Sequence, residues 1–86
     1  MNLNLYDRVN TIRTRDDFVE FVRDLTQDLW TNPGDWENPG LDSYLETLGA
    51  WVNDMDGYFQ NRGEPVPKQA SWKLLGEILL AARIYE

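Results

Sequence analysis

The chain has 86 residues and a formal net charge of −7, from 15 Asp and Glu against 8 Lys and Arg. It contains neither cysteine nor histidine, which excludes disulfides, thiolate metal sites, histidine-based catalytic triads and the usual zinc ligands. The acidic balance argues against free nucleic acid as a partner, because phosphate binding requires clustered Lys and Arg. This length predicts a single helical domain over residues 1–86, whose core depends on four Trp, four Tyr and three Phe.

No targeting or membrane segment stands out. The longest apolar runs fall well short of the roughly 20 residues that span a bilayer, and the N-terminus lacks a signal-peptide pattern. We therefore expect a cytoplasmic protein with no membrane partner and no cofactor.

The first third of the chain predicts two helices. Leu5, Val9 and Ile12 recur at spacings of four and three, which indicates a short helix within residues 4–12. Thr14 followed by acidic residues is typical of a helix start, and a buried apolar face continues over residues 15–30. That face consists of Phe18, Phe21, Val22, Leu25 and Leu29.

Residues 31–40 form a loop rich in Pro, Gly and Asn, with two Asn-Pro-Gly turns on either side of Trp36. We expect Trp36 to fold back onto the helices and close the core. An exposed indole at this place would instead mark a binding surface.

Residues 41–61 have the clearest helical periodicity in the chain. A narrow apolar stripe, expected to be buried, consists of Leu41, Leu45, Leu48, Val52, Met55 and Phe59. Tyr44, Trp51 and Tyr58 form an aromatic shoulder on one edge of this stripe, and they are either core or, if exposed, a binding hot spot. Gly49 and Gly57 weaken the helix, so we expect them to permit a close approach of backbone or ring.

The helix at 41–61 should stop at Gly63, and Pro65 and Pro67 should stiffen the connector that follows. A last helix over 72–84 is capped by Ser71 and is apolar nearly all round, so it should pack between the others. A homodimer through this helix stays open. The predicted fold is an all-α bundle of three principal helices (about 15–30, 41–61 and 72–84) plus the short N-terminal one.

Carboxylates supply the candidate sites. Those of the second helix follow spacings of three and four along one side, as either a solvated face or a docking surface for a basic protein. They are Asp17, Glu20, Asp24 and Asp28. Asp54-Met55-Asp56-Gly57 does not fit a calcium loop, because Val52 and Gly63 would occupy two ligand positions. We expect Asp54 and Asp56 to be solvated or paired with Arg62.

Several motifs over residues 13–86 resemble a family of small uncharacterised bacterial proteins, a domain of unknown function. The motifs are TRDDFV (14–19), WENP (36–39), DMDGY (54–58), NRGEPVP (61–67), Ser71-Trp72 and LLAARIYE (79–86). The resemblance implies a bacterial or phage setting and brings no catalytic residues.

Together these observations predict a non-catalytic, acidic module that binds another protein with a basic surface. In size and charge the chain is similar to immunity proteins that neutralise basic toxins. The candidate partner-binding residues are those four acids of the second helix together with Trp36, Tyr44, Trp51, Asp54 and Tyr58. The alternative is a small-molecule or divalent-metal-binding, enzyme-like protein that uses Asp54, Asp56 and Glu64.

Overall fold

The computed structural model describes residues 4–85, and every regular element in that range is helical. The elements are α1 (Leu5–Val9), α2 (Arg15–Thr31), a 3₁₀ turn (Pro33–Asp35), α3 (Leu41–Asn61) and α4 (Trp72–Ala82). The predicted all-α class with three principal helices is confirmed, and the predicted bounds lie within a few residues of the observed ones. Glu86, the last residue of the C-terminal motif, lies outside the described residues.

Side-chain caps define where the helices begin. The Thr14 hydroxyl accepts a hydrogen bond from the Asp17 backbone N–H, and the Asp17 carboxylate accepts one from the Thr14 backbone N–H, which makes a reciprocal capping box. The backbone N–H groups of Arg13 and Thr14 both bind this carboxylate and lower the pKa of Asp17. At α4 the Ser71 hydroxyl accepts from Leu74 N–H at 3.0 Å, as predicted.

Glycine ends α3 where the sequence predicts. Gly63 has φ of 70°, a left-handed conformation that residues with a Cβ rarely adopt. Its N–H donates to the Gln60 carbonyl at 3.0 Å, while the Glu64 N–H donates to the Phe59 carbonyl at 2.9 Å. These two bonds form a Schellman motif, which satisfies the last carbonyls of α3.

The last helix is the centre of the bundle. α4 packs against α1, α2 and α3, as predicted from its apolar surface. Gly76 makes the closest approach, because a Cβ built there would lie 2.5 Å from the Ile12 Cδ1 and 3.2 Å from the Val9 Cγ2. The expectation for Gly49 and Gly57 is wrong, since a Cβ at either position meets nothing within 4 Å. None of the described helices, α4 included, has the length and hydropathy needed to cross a membrane.

The loop before α3 packs across the bundle and holds the end of α4. Trp36 is buried at 9% exposure and joins the core formed by α1, α2 and α4, as expected of a closing indole. Asn38 then binds the end of α4: its backbone N–H donates to the Arg83 carbonyl, and its side-chain Nδ2 donates to the Ala82 and Tyr85 carbonyls. The loop therefore caps the C-terminus of α4 from outside the helix.

The apolar stripe of α3 is buried only toward the C-terminal end of the helix, where Phe59 is buried and Met55 packs against the core. Leu41 and Leu45 are exposed by 73% and 56%, whereas Trp51 is buried at 5%. At 100° per residue, the aromatic shoulder lies about 80° around the helix from the centre of the stripe. The helix is turned so that the large rings face α4, because an aromatic side chain buries more area than a leucine.

Candidate functional site

The acidic stripe of α2 is largely engaged within the chain. Asp17 belongs to the helix cap described above. The Glu20 carboxylate lies 3.1 Å from Arg23 Nη1, and the Asp24 carboxylate lies 2.7 Å from Arg8 Nη2. The stripe therefore presents fewer free charges than its sequence pattern suggests.

Asp28, the last member of that stripe, has a structural position. Its Oδ2 accepts a hydrogen bond from the buried Trp36 Nε1 at 2.7 Å. The same oxygen lies 3.4 Å from Arg83 Nη1, in an ion pair whose side chains are only 21% and 11% exposed. Asp28 thus joins α2, the loop and the end of α4, and it is poorly placed to meet a partner.

The aromatic shoulder of α3 faces the interior. The Tyr44 hydroxyl donates to the Leu79 carbonyl at 2.7 Å, and burial raises the pKa of Tyr44 to about 12. Trp36 stacks on the Tyr44 ring with a centroid separation of 5.9 Å. Trp51 is buried and meets the half-buried Tyr58 edge to face at 5.2 Å. Of these candidates Trp51 and Tyr58 line a groove, and Tyr58 is the more exposed of the two.

The three acids proposed for metal binding do not converge. Asp54 is exposed, which agrees with the solvated alternative, and it accepts a hydrogen bond from the Tyr85 hydroxyl at 2.6 Å. Arg62 pairs with Glu64 at 3.3 Å, and not with Asp54. Asp56 is exposed, as expected of a solvated acid. Within residues 4–85, no group of three or more acidic side chains is placed to hold a metal ion.

A row of exposed apolar side chains runs along α3. Leu41, Leu45 and Val52, here termed the α3 outer face, are exposed by 73%, 56% and 38%. They lie within about 40° of one another around the helix axis. A partner in contact with one of them can therefore contact all three.

Three carboxylates border the α3 outer face. Asp56, Asp42 and Glu46 follow it around the helix on the side away from the core, and all three are exposed. None of the ion pairs within residues 4–85 includes them. α3 carries no Lys or Arg of its own, so this acidic rim is not neutralised along the helix.

A second feature is a half-open cavity of about 550 Å³ between α1, α3 and α4, here termed the aromatic groove. Its walls include the rings of Tyr6, Trp51 and Tyr58, and Leu80 contributes to its apolar surface. Glu77 of α4 also lines it, and burial raises the pKa of this carboxyl above its usual value. The groove combines apolar, aromatic and charged surfaces.

Comparison with known proteins assigns the chain to a family. The model described as Family of unknown function (DUF7660) matches residues 14–86. The chain belongs to DUF7660. The resemblance predicted from the motifs is thus confirmed as membership of an uncharacterised domain family, while no curated protein and no solved structure gives a significant match.

Sequence reasoning missed both surfaces of this DUF7660 chain. The α3 outer face was assigned to the core, because its three residues continue a regular apolar stripe. The spacing of seven between Tyr44, Trp51 and Tyr58 was the available signal for the buried side of α3. Residues two helical turns apart lie on one side of the helix, and these three carry larger side chains than the stripe does. Trp51 and Tyr58 of the aromatic groove were among the predicted binding residues, but the groove itself could not be predicted, because its walls come from three helices.

Proposed function

We propose that this protein is a non-catalytic binding module that engages a basic protein through the α3 outer face. One observation supports this most directly: three large apolar side chains are exposed along one side of one helix, beside exposed acids that form no ion pair within residues 4–85. Single exposed apolar residues are ordinary on a protein surface, but an aligned row is typical of an interaction site. This proposal keeps the acidic protein-binding module predicted from the sequence, but it assigns the contact to the α3 outer face instead of the acids of α2 and the aromatic shoulder.

The partner's chemistry follows from this arrangement. A complementary surface carries apolar side chains that cover Leu41, Leu45 and Val52, with Lys or Arg placed to meet the acidic rim. An amphipathic helix with basic flanks has this pattern, and helices commonly dock in this way through side chains at i, i+4 and i+7. Opposite charge at the rim speeds the encounter, while the apolar row supplies most of the affinity.

The biological setting is part of the same proposal. The motif resemblance supports a bacterial or phage protein, and a cytoplasmic location stays the expectation from the sequence. The size and acidity of the chain support an immunity or inhibitor type that neutralises a basic toxin. A homodimer is the rival arrangement. A dimer through α4 has little support, because the other helices cover most of α4. A dimer through α3 would bring two acidic rims together, and like-charge repulsion would destabilise it.

The enzyme-like alternative has less support. Its proposed ligands Asp54 and Glu64 are engaged with Tyr85 and Arg62, and they do not form a cluster with Asp56.

The first test identifies the partner and locates its contact. A photo-crosslinking residue at position 45 in the source cells should capture a protein, whose affinity is then measured with purified components. Leu45→Ser should weaken binding by at least about tenfold, as expected for a buried interface anchor. Val19→Ser is the matched control, because Val19 is an exposed apolar residue of α2 at 41% exposure. Equal losses for both variants would reject the α3 outer face as the interface.

A second test addresses charge. Asp42→Asn/Glu46→Gln should lower the association rate at low salt by roughly threefold to tenfold, since these acids steer a basic partner. Asp16→Asn/Glu20→Gln removes the same charge from α2 and should leave the rate nearly unchanged. Equal slowing by both double variants would show that net charge acts without a local site.

A further inference from the structure

The aromatic groove contains a carboxylate that the rest of the chain leaves unpaired. Glu77 is half-buried at the groove wall, and no ion pair or hydrogen bond within residues 4–85 engages its carboxylate. The nearby cations Lys73 and Arg62 lower the pKa of Glu77, but the effect of burial is larger and the net shift is upward. A ligand cation placed against this carboxylate would compensate part of that burial cost.

The arginine that lines the groove already has a carboxylate partner. Arg62 lines the groove, but its guanidinium lies 3.3 Å from the Glu64 carboxylate and 5.2 Å from the centroid of the Tyr58 ring. Its charge is therefore compensated by Glu64, and its guanidinium already lies over one face of the Tyr58 ring. Glu77 is left as the charge that a ligand can complement.

Four aromatic residues line the same space: Tyr6, Trp51, Tyr58 and Tyr85, whose hydroxyl donates to Asp54. Tyr6, from α1, is 53% exposed and lines both the aromatic groove and a neighbouring one that contains Arg83. Trp51 and Tyr58 form the opposite wall from α3. Ring faces attract cations through their quadrupole, and tryptophan does so best.

We propose that the aromatic groove binds a small alkylated ammonium cation, held between the rings of Tyr6, Trp51 and Tyr58 with the carboxylate of Glu77 as counter-charge. A methylated ammonium has an apolar surface that suits aromatic and aliphatic walls, and its charge suits a carboxylate without a partner. The volume of about 550 Å³ is ample for such a cation. This site is independent of the α3 outer face, because Leu41, Leu45 and Val52 do not line the groove.

The test compares choline with 3,3-dimethylbutan-1-ol, a neutral molecule of the same shape. Each is titrated into the full chain at pH 8 and constant ionic strength, with binding followed by ¹H–¹⁵N chemical shifts. Choline should give saturable shifts at the Trp51 indole and at the Glu77 and Tyr6 amides, with an affinity about tenfold higher than that of the alcohol. No saturable shifts, or equal affinity for the two molecules, would overturn the proposal.

Variants then assign the contacts. Glu77→Gln should weaken choline about tenfold and leave the alcohol unchanged, whereas Glu37→Gln, at an exposed carboxylate of the 31–40 loop that does not line the groove, should change neither. Tyr6→Ala should weaken choline by roughly threefold, while Tyr6→Phe keeps the ring and the affinity. The same spectra report whether each variant is folded. Unchanged choline affinity in folded Glu77→Gln would remove the counter-charge from the site and refute the assignment.

Discussion

Replacing Gly76 by alanine tests how closely α4 packs against α1 and the residues that follow it, because the loss in stability from overpacking opposes the gain from helix propensity. The new Cβ would lie 2.5 Å from the Ile12 Cδ1 and 3.2 Å from the Val9 Cγ2, whereas carbon atoms pack at about 3.5 to 4.0 Å. The Ile12 methyl must therefore move by about 1 Å. Ile12 and Val9 are only 2% and 5% exposed, so they have little free space into which to move.

The magnitude follows from two opposing effects. Overpacking a well-filled core costs about 1 to 3 kcal/mol, while Gly→Ala inside a helix gains up to about 1 kcal/mol. Gly76→Ala should therefore range from neutral to about 2 kcal/mol less stable than the parent protein. Gly49→Ala and Gly57→Ala gain the same propensity in α3 but meet nothing within 4 Å, so both should be stabilising.

The assay is thermal unfolding followed by circular dichroism at 222 nm. In a domain of this size, 1 kcal/mol shifts Tm by about 4 to 8 °C. Gly76→Ala should therefore melt at least about 4 °C below Gly49→Ala. The two variants gain the same helix propensity, so the difference in Tm reports the packing cost alone. If Gly76→Ala and Gly49→Ala gain equal stability, the close contact of α4 with Ile12 and Val9 does not constrain the fold and the argument fails.

Three further predictions concern stability. Asn38→Ala should lower the free energy of unfolding in urea by about 1 to 2 kcal/mol, because the carbonyls of Ala82, at the end of α4, and of Tyr85, just after it, lose their amide donor. An unchanged free energy of unfolding would contradict this cap. Asp28→Ala should cost about 2 to 3 kcal/mol, since the buried Trp36 Nε1 loses a charged acceptor, and Asp28→Asn should cost less because its amide oxygen still accepts. Glu77→Gln should raise Tm at pH 8. The raised pKa of Glu77 means that its charged form disfavours folding, so the gain should disappear as the pH falls below the unfolded value of 4.5; a gain independent of pH would refute this cause.

Local signals in the sequence located the helices well. Thr14 and Ser71 cap the helices that they were predicted to cap, and Gly63 ends α3 in the left-handed conformation. These features depend on residues within one turn of each other, so a single sequence contains the physical information that they require. The position of Trp36 in the core was also predicted, because an indole between two tight turns has few other places to pack.

The function of individual glycines could not be predicted in this way. Gly49 and Gly57 interrupt the clearest periodicity and were expected to permit close packing, yet a Cβ at either position would contact nothing within 4 Å. Gly76 lies in a helix that is apolar nearly all round, and its role depends on Ile12 and Val9, more than sixty residues earlier in the chain. The approach of distant elements decides which glycine is needed for packing.

The sequence by itself determined that this chain forms helices of these lengths, and that it is acidic and lacks imidazole and thiol groups. Only the tertiary structure decided which side of α3 is buried. Periodicity identifies a stripe and a shoulder on one helix, but the choice between them depends on what α4 and the 31–40 loop can cover. Because the large rings of Trp51 and Tyr44 face the interior, Leu41 and Leu45 are left in solvent beside acids that form no ion pair within residues 4–85, and this is the surface that we propose for a partner.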